Sequence, residues 1–175
     1  GATTATATTA TATTATATTA STATASTATA STTYDIADAT ASPQFFCTDV
    51  ACGALTGYVY TGDGACSVGC VGFPPGSVHV TLSFSVSRLF PPSPCMMKSG
   101  TGTLDASWPD DPNLSTAQGT FTFRAHDSHV MDLSGSITSS TLAAVPVGEA
   151  LSGFVTFPPS PCTGGTTQAG LTFGG

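Results

Sequence analysis

The sequence predicts an all-β chain: a disulfide-linked antiparallel β-sandwich preceded by an extended stalk rich in Thr, Ala and Ser. Three observations lead there. Apolar and polar residues alternate in short runs, turn signals recur roughly every 8 to 12 residues, and six cysteines all lie behind a low-complexity start.

The strongest strand is Val78 to Phe90, where Val78, Val80, Leu82, Phe84 and Val86 share one face and His79, Thr81, Ser83, Ser85 and Ser87 the other. Weaker alternation marks Leu55 to Thr61, Gly102 to Trp108, Gly119 to Ala125, His129 to Thr138, Leu142 to Val147, Ser152 to Phe157 and Gln168 to Phe173. Turn residues separate them: TGDG at Thr61, PPG at Pro74, WPDDPN at Trp108, HDSH at His126 and CTGG at Cys162. Helix initiation signals are absent. Strands of this number and spacing fit a sandwich or a barrel, and a sandwich, immunoglobulin-like or related, is the expectation.

An even number of cysteines (Cys47, Cys52, Cys66, Cys70, Cys95 and Cys162) without CxxC knuckles or neighbouring histidines reads as disulfides rather than a zinc site. One internal echo narrows the pairing. Phe90 to Cys95 reads FPPSPC, Phe157 to Cys162 repeats it, and FPPG at Phe73 is a partial third copy. Equivalent strand ends would be clamped by Cys95 with Cys162, leaving the four earlier cysteines to pair among themselves. The alternative is that each copy pins its Cys to the N-terminal cluster.

Residues 2 to 33 comprise 17 Thr, 3 Ser and 12 Ala in a five-residue period, with no charge and no large apolar side chain. Such a tract cannot form a core. In an extended strand the odd period flips the pattern from face to face, so no side stays apolar, and docking of the whole tract or a flat ice plane is disfavoured. In polyproline II a five-residue step turns by about 240°, which spreads hydroxyls around the axis and suits a sheath of O-linked sugar. The candidate acceptors are Thr3, Thr4, Thr6, Thr8, Thr9, Thr11, Thr13, Thr14, Thr16, Thr18, Thr19, Ser21, Thr22, Thr24, Ser26, Thr27, Thr29, Ser31, Thr32 and Thr33. Extended, the tract would act as a spacer of up to roughly 100 Å.

The expected organisation is thus a stalk over 1–33, a linker or donor-strand segment over 34–46 and a disulfide-rich β domain over 47–175. Tyr34 and Ile36 are the first sizeable apolar residues after the tract. They are candidate assembly anchors, inserted into a neighbouring copy, or else staples onto their own domain. The start without Met reads as a mature product whose targeting segment has been removed, or as a fragment.

Lys and Arg total 3 against 10 acids, a net charge of −7 with only 7% charged residues. Nucleic acid is not an expected partner, because there is no basic balance to neutralise phosphates. No run of 18 apolar residues is present, so no membrane span is expected. His126, Asp127, Ser128 and His129 contain acid, base and hydroxyl, but so close in sequence they read as a polar hairpin tip rather than a triad or, with Asp132, a metal site. Asp105, Asp110 and Asp111 around Trp108 suggest a minor calcium or sugar-binding alternative to turn caps and core packing. Asn113-Leu114-Ser115 is an N-glycosylation sequon after a Pro-Asp-Asp-Pro turn. No catalytic residue, cofactor or metal is expected.

The function these features suggest is a structural, non-enzymatic subunit of an extracellular or cell-surface glycosylated fibre or coat. Its partners would be copies of itself, joined head to tail through the N-terminal segment, and covalent glycans. A monomeric adhesion or carbohydrate-binding module on a mucin-like stalk is the first alternative, and an ice-binding glycoprotein the second.

Overall fold

Alternation gives each strand one face that must be buried. In a computed structural model, which describes residues 30–175 apart from Pro92, eight strands bury those faces against one another. They are β1 (Thr32–Cys47), β2 (Cys52–Val68), β3 (Val78–Leu89), β4 (Met97–Ser107), β5 (Thr116–Ala125), β6 (Val130–Ser140), β7 (Ala150–Thr156) and β8 (Gly165–Phe173). Each pairs antiparallel with the next, and β1 returns to pair with β8, closing a barrel. The chain is all-β as expected, but one closed sheet replaces the sandwich. A sandwich and a barrel both need one apolar face per strand, so alternation cannot separate them. Pairing of the first strand with the last decides it.

That first strand corrects the expected boundaries. Residues 34–46 lie inside β1 rather than in a linker, paired with β2 on one side and, as far as Ala41, with β8 on the other. Tyr34 and Ile36 are buried in the barrel's own core, so neither is presented to a neighbour while the barrel is closed. Thr32 and Thr33 also belong to β1. The Thr32 hydroxyl donates to the Gly69 carbonyl at 2.7 Å in a buried position, and Thr33 meets the Thr172 hydroxyl at 3.0 Å. Thr32 is therefore withdrawn from the sugar acceptors. Ser31 stays half-buried at the junction, and the acceptors from Thr3 to Thr29 lie outside the described residues. Leu142 to Val147 is a loop rather than a strand, since Pro146 removes a donor and Val145 turns inward, fully buried.

The lumen is filled. Tyr58, Tyr60, Phe84, Phe121 and Phe123 form a chain of rings with centroids 5.1 to 5.9 Å apart. A second group, Tyr34, Phe73, Trp108 and Phe173, closes the end where the chain enters. Phe121 and Phe123 fit only because β4 offers glycine opposite them. A Cβ on Gly102 would lie 2.4 Å from Phe121, and one on Gly100 would lie 2.8 Å from Phe123. Strands β4 to β6 thereby settle onto the rings.

Antiparallel order places alternate loops at opposite ends. The chain enters beside the β2–β3, β4–β5 and β6–β7 loops, and the far end carries the β1–β2, β3–β4, β5–β6 and β7–β8 loops. Both FPPSPC copies fall at the far end, joined by Cys95–Cys162 as the echo suggested. Cys47–Cys52 and Cys66–Cys70 complete the set. All six cysteines are paired, as in chains folded under oxidising conditions.

The bond between Cys95 and Cys162 spans a sequence separation of 67, and that between Cys47 and Cys52 only 5. On the chain-entropy scale the first is worth about 4 kcal/mol and the second about 2 kcal/mol. Paired Cys→Ser variants measured by denaturant unfolding should lose stability in that order, and an equal loss would contradict it.

Candidate functional site

The residues singled out in the sequence are dispersed by the barrel. At the β5–β6 turn, Asp127 accepts the backbone N–H groups of His129 at 2.7 Å and Val130 at 3.0 Å. The His129 N–H leads in holding the Asp127 carboxyl below its usual range. Ser128 Oγ lies 3.1 Å from His129 Nδ1, and Asp127 Oδ1 lies 3.7 Å from that same nitrogen. A triad needs the hydroxyl and the acid on opposite ring nitrogens, so this tip lacks the geometry. His126 Nδ1 contacts Asp132 Oδ2 at 3.0 Å. Among the described residues no three His, Cys, Asp or Glu side chains come together as metal ligands would.

Trp108 cannot serve as a sugar-stacking plate. It is fully buried, and its Nε1–H donates to the Tyr34 hydroxyl at 3.0 Å. The aspartates near it serve different partners. Asp105 accepts from Gln118 Nε2 at 2.8 Å, while Asp111 accepts the Ser115 hydroxyl and the backbone N–H groups of Asn113 and Ser115. The Ser115 hydroxyl contributes most to holding the Asp111 carboxyl below its usual range, followed by the Asn113 N–H. This carboxylate shapes the turn that leaves Asn113 exposed, with Leu114 at φ +49°. Asn113 is thus exposed at the chain-entry end, while the sequon's Ser115 is buried with its hydroxyl on Asp111.

The most distinctive surface is one that sequence reasoning missed. Outward residues of β3 to β6 fall into cross-strand register as two rows: Ser85, Thr101, Thr122 and Ser134, then Ser83, Thr103, Thr120 and Ser136. The first row continues through Ser152 and Thr172 to Thr33, so hydroxyls run around most of the wall. Two shallow adjoining hollows lie along these rows, over Gly100, Gly102 and Gly135. A hydroxyl both donates and accepts, and rows of them match a ligand that is itself hydroxyl-rich. The outer positions of β3 to β6 carry no apolar band of the kind a lipid-facing barrel presents. No helix among the described residues is long and apolar enough to cross a membrane.

The hollow nearer the far end runs into a third, lined by Arg88, Lys98, Ser99, Arg124 and Ala125. Those are all three cations of the chain. Alternate Ser and Thr were legible within each strand, but their alignment between strands was not, because register depends on turn lengths and bulges. No protein-family description, curated protein or solved structure matches this chain.

The buried tyrosines set the alkaline limit of this frame. Burial pushes Tyr58 up to about 12 and Tyr60 higher still, with Tyr58 adding to the latter. Burial also raises Tyr34, against the lowering effect of the Trp108 N–H. An unfolded tyrosine releases its proton at about pH 10. Above that pH the unfolded chain gives up protons the folded chain keeps, so stability contributed by burial is intact below it and lost as pH rises. Urea midpoints should stay level with respect to these groups up to about pH 10 and then fall, with tyrosinate absorbance appearing together with unfolding. Ionisation at the ordinary pH in a still-folded protein would contradict this.

Proposed function

We propose that the chain is a structural, non-catalytic subunit of an extracellular or cell-surface coat, in which disulfide-clamped barrels stack end to end and the Thr/Ala/Ser tract carries O-linked sugar. The observation that carries the stacking is the placement of exposed large apolar side chains. Phe46 (64% exposed) and Val50 (94%) lie at the far end, whereas Val68, Val71 (97%), Leu114 and Val147 lie at the chain-entry end. Only Phe154 lies on the wall, folded over Gly170. Apolar groups at both ends of a hydroxylated cylinder favour a far end meeting the entry end of the next copy, a heterologous contact that does not close and grows as a fibre.

This proposal replaces strand donation by Tyr34 and Ile36, whose side chains are committed to their own core. The filled lumen supports a structural role over ligand carriage inside the barrel, as do three disulfides. With only 7% charged residues, hydration of the surface falls to hydroxyls and sugars. A monomeric adhesion or carbohydrate-binding module on the same stalk is the second reading, favoured by the hydroxyl-lined hollows.

Negative-stain imaging and light scattering of native material should show filaments or higher assemblies that Phe46→Asp with Val50→Asp abolishes while the barrel stays folded. A strict monomer at high concentration would overturn the stacking. Intact mass should fall on enzymatic deglycosylation, and a native mass equal to the bare 17.2 kDa chain would remove the sugar sheath.

A further inference from the structure

The three cations gather by a specific departure from strand geometry. Along β3 the even positions Val78 to Val86 mark the inward side, so regular alternation would turn Arg88 inward as well. Register shifts between Val86 and Arg88, and again between Arg88 and Leu89, break that alternation, and Arg88 is exposed. On β4, Met97 points inward with the even residues Leu104 and Ala106, so parity changes between them and Lys98 is released outward. Arg88 and Arg124 then flank the same residue, Ser99, in adjacent ladders. Bulges that re-aim side chains are a recurrent device beside binding sites.

No carboxylate among the described residues lies within ion-pair distance of these three side chains; the ion pairs found all join a histidine to an aspartate. Asp132, the cross-strand neighbour of Arg124, lines the adjoining hollow with its carboxylate against His126. The chain has ten acids, yet all three of its Lys and Arg residues line one hollow without a salt bridge. Guanidinium groups are suited to two-point contact with carboxylate or sulfate oxygens.

We propose that Arg88, Lys98 and Arg124 receive the acidic group of a saccharide whose neutral hydroxyls lie along the Ser and Thr rows of β3 to β6. The cationic hollow and the hydroxyl-lined hollow share Ser99 and Arg124, and the latter shares Thr101, Thr122 and Ser134 with the next along the wall. One continuous track thus has charge at one end only. A ligand with dense regular charge, such as nucleic acid, would meet uncharged wall and a net charge of −7. A sugar chain with a sparse carboxylate or sulfate ester matches both parts. The site is on the outer wall, and the inference holds whether or not the barrels stack.

Full-length protein would be titrated with aldotetraouronic acid (a xylotriose carrying one glucuronate), its carboxyl-reduced counterpart, a maltohexaose carrying one sulfate ester, maltohexaose itself and sodium sulfate. The singly charged uronate or sulfate ester should bind, with affinity falling as salt rises. Carboxyl reduction, or the combined change Arg88→Ala, Lys98→Ala and Arg124→Ala, should weaken binding of the uronate by about tenfold or more. Thr101→Val with Thr122→Val should weaken the saccharide but leave binding of free sulfate unchanged. A triple variant with wild-type thermal unfolding and undiminished binding would overturn the proposal. So would equal binding of the carboxyl-reduced sugar, binding of free sulfate alone, or no binding of either singly charged saccharide at millimolar concentration.

Discussion

Closure depends on one strand, β1, being held on both edges. Its outer row is tied to β8 where Thr33 and Thr172 face each other, and its inner row places Tyr34 and Ile36 against the rings and aliphatics of the lumen. Burying side chains of this size contributes about 1.5 to 3 kcal/mol each. Removing β1 would expose those groups and also leave β2 and β8 with unpaired edges. The same strand ends in Cys47, whose bond to Cys52 fixes the hairpin that starts β2. Among the described residues, the first hydroxyl spent internally is that of Thr32.

A second constraint follows from filling the lumen with aromatic rings. Phe84, Phe121 and Phe123 require space that side chains on β4 would deny them, and glycine at 100 and 102 supplies it. The strands that approach the rings are the same ones whose outer surface carries the two hollows. Interior packing and exterior shape are therefore one problem. At the chain-entry end, the Trp108 N–H donates to the Tyr34 hydroxyl where water is excluded, which gives the buried indole donor a partner within the aromatic group that seals that end.

Strand identity was legible where large and small residues alternate without interruption, as from Val78 to Val86, and the Cys95–Cys162 bond was legible from the repeated FPPSPC. What could not be read was whatever depends on pairing between distant residues. Tyr34 and Ile36 alternate as well as any strand residues, yet nothing local distinguishes pairing with β8 of the same chain from pairing with another copy. Trp108 lay beside acids in sequence; Asp111 shapes a loop and Asp105 meets Gln118 across the strands, while the indole faces inward. Arg88 sits at a position where strict alternation predicts burial, and only the bulge explains its exposure. A bulge is a mismatch between two strands and has no single-strand signature.

The charge pattern can be weighed by distance. Arg88 and Arg124 flank Ser99 across two interstrand steps, a backbone span of about 10 Å. That is close to the Debye length of about 8 Å at physiological ionic strength. Asp132 lies one interstrand step from Arg124 and is the acid beside this group, whereas acids farther along the barrel, such as Asp63, Asp105 and Asp110 toward the chain-entry end, are screened from the three cations. A chain with net charge −7 can therefore hold a locally positive surface in salt. Cations placed for solubility alone would gain more by dispersal among the acids than by mutual crowding. Their convergence has a like-charge cost that an incoming anion would remove, and a neutral hydroxyl wall beside them leaves that anion free to extend along the barrel.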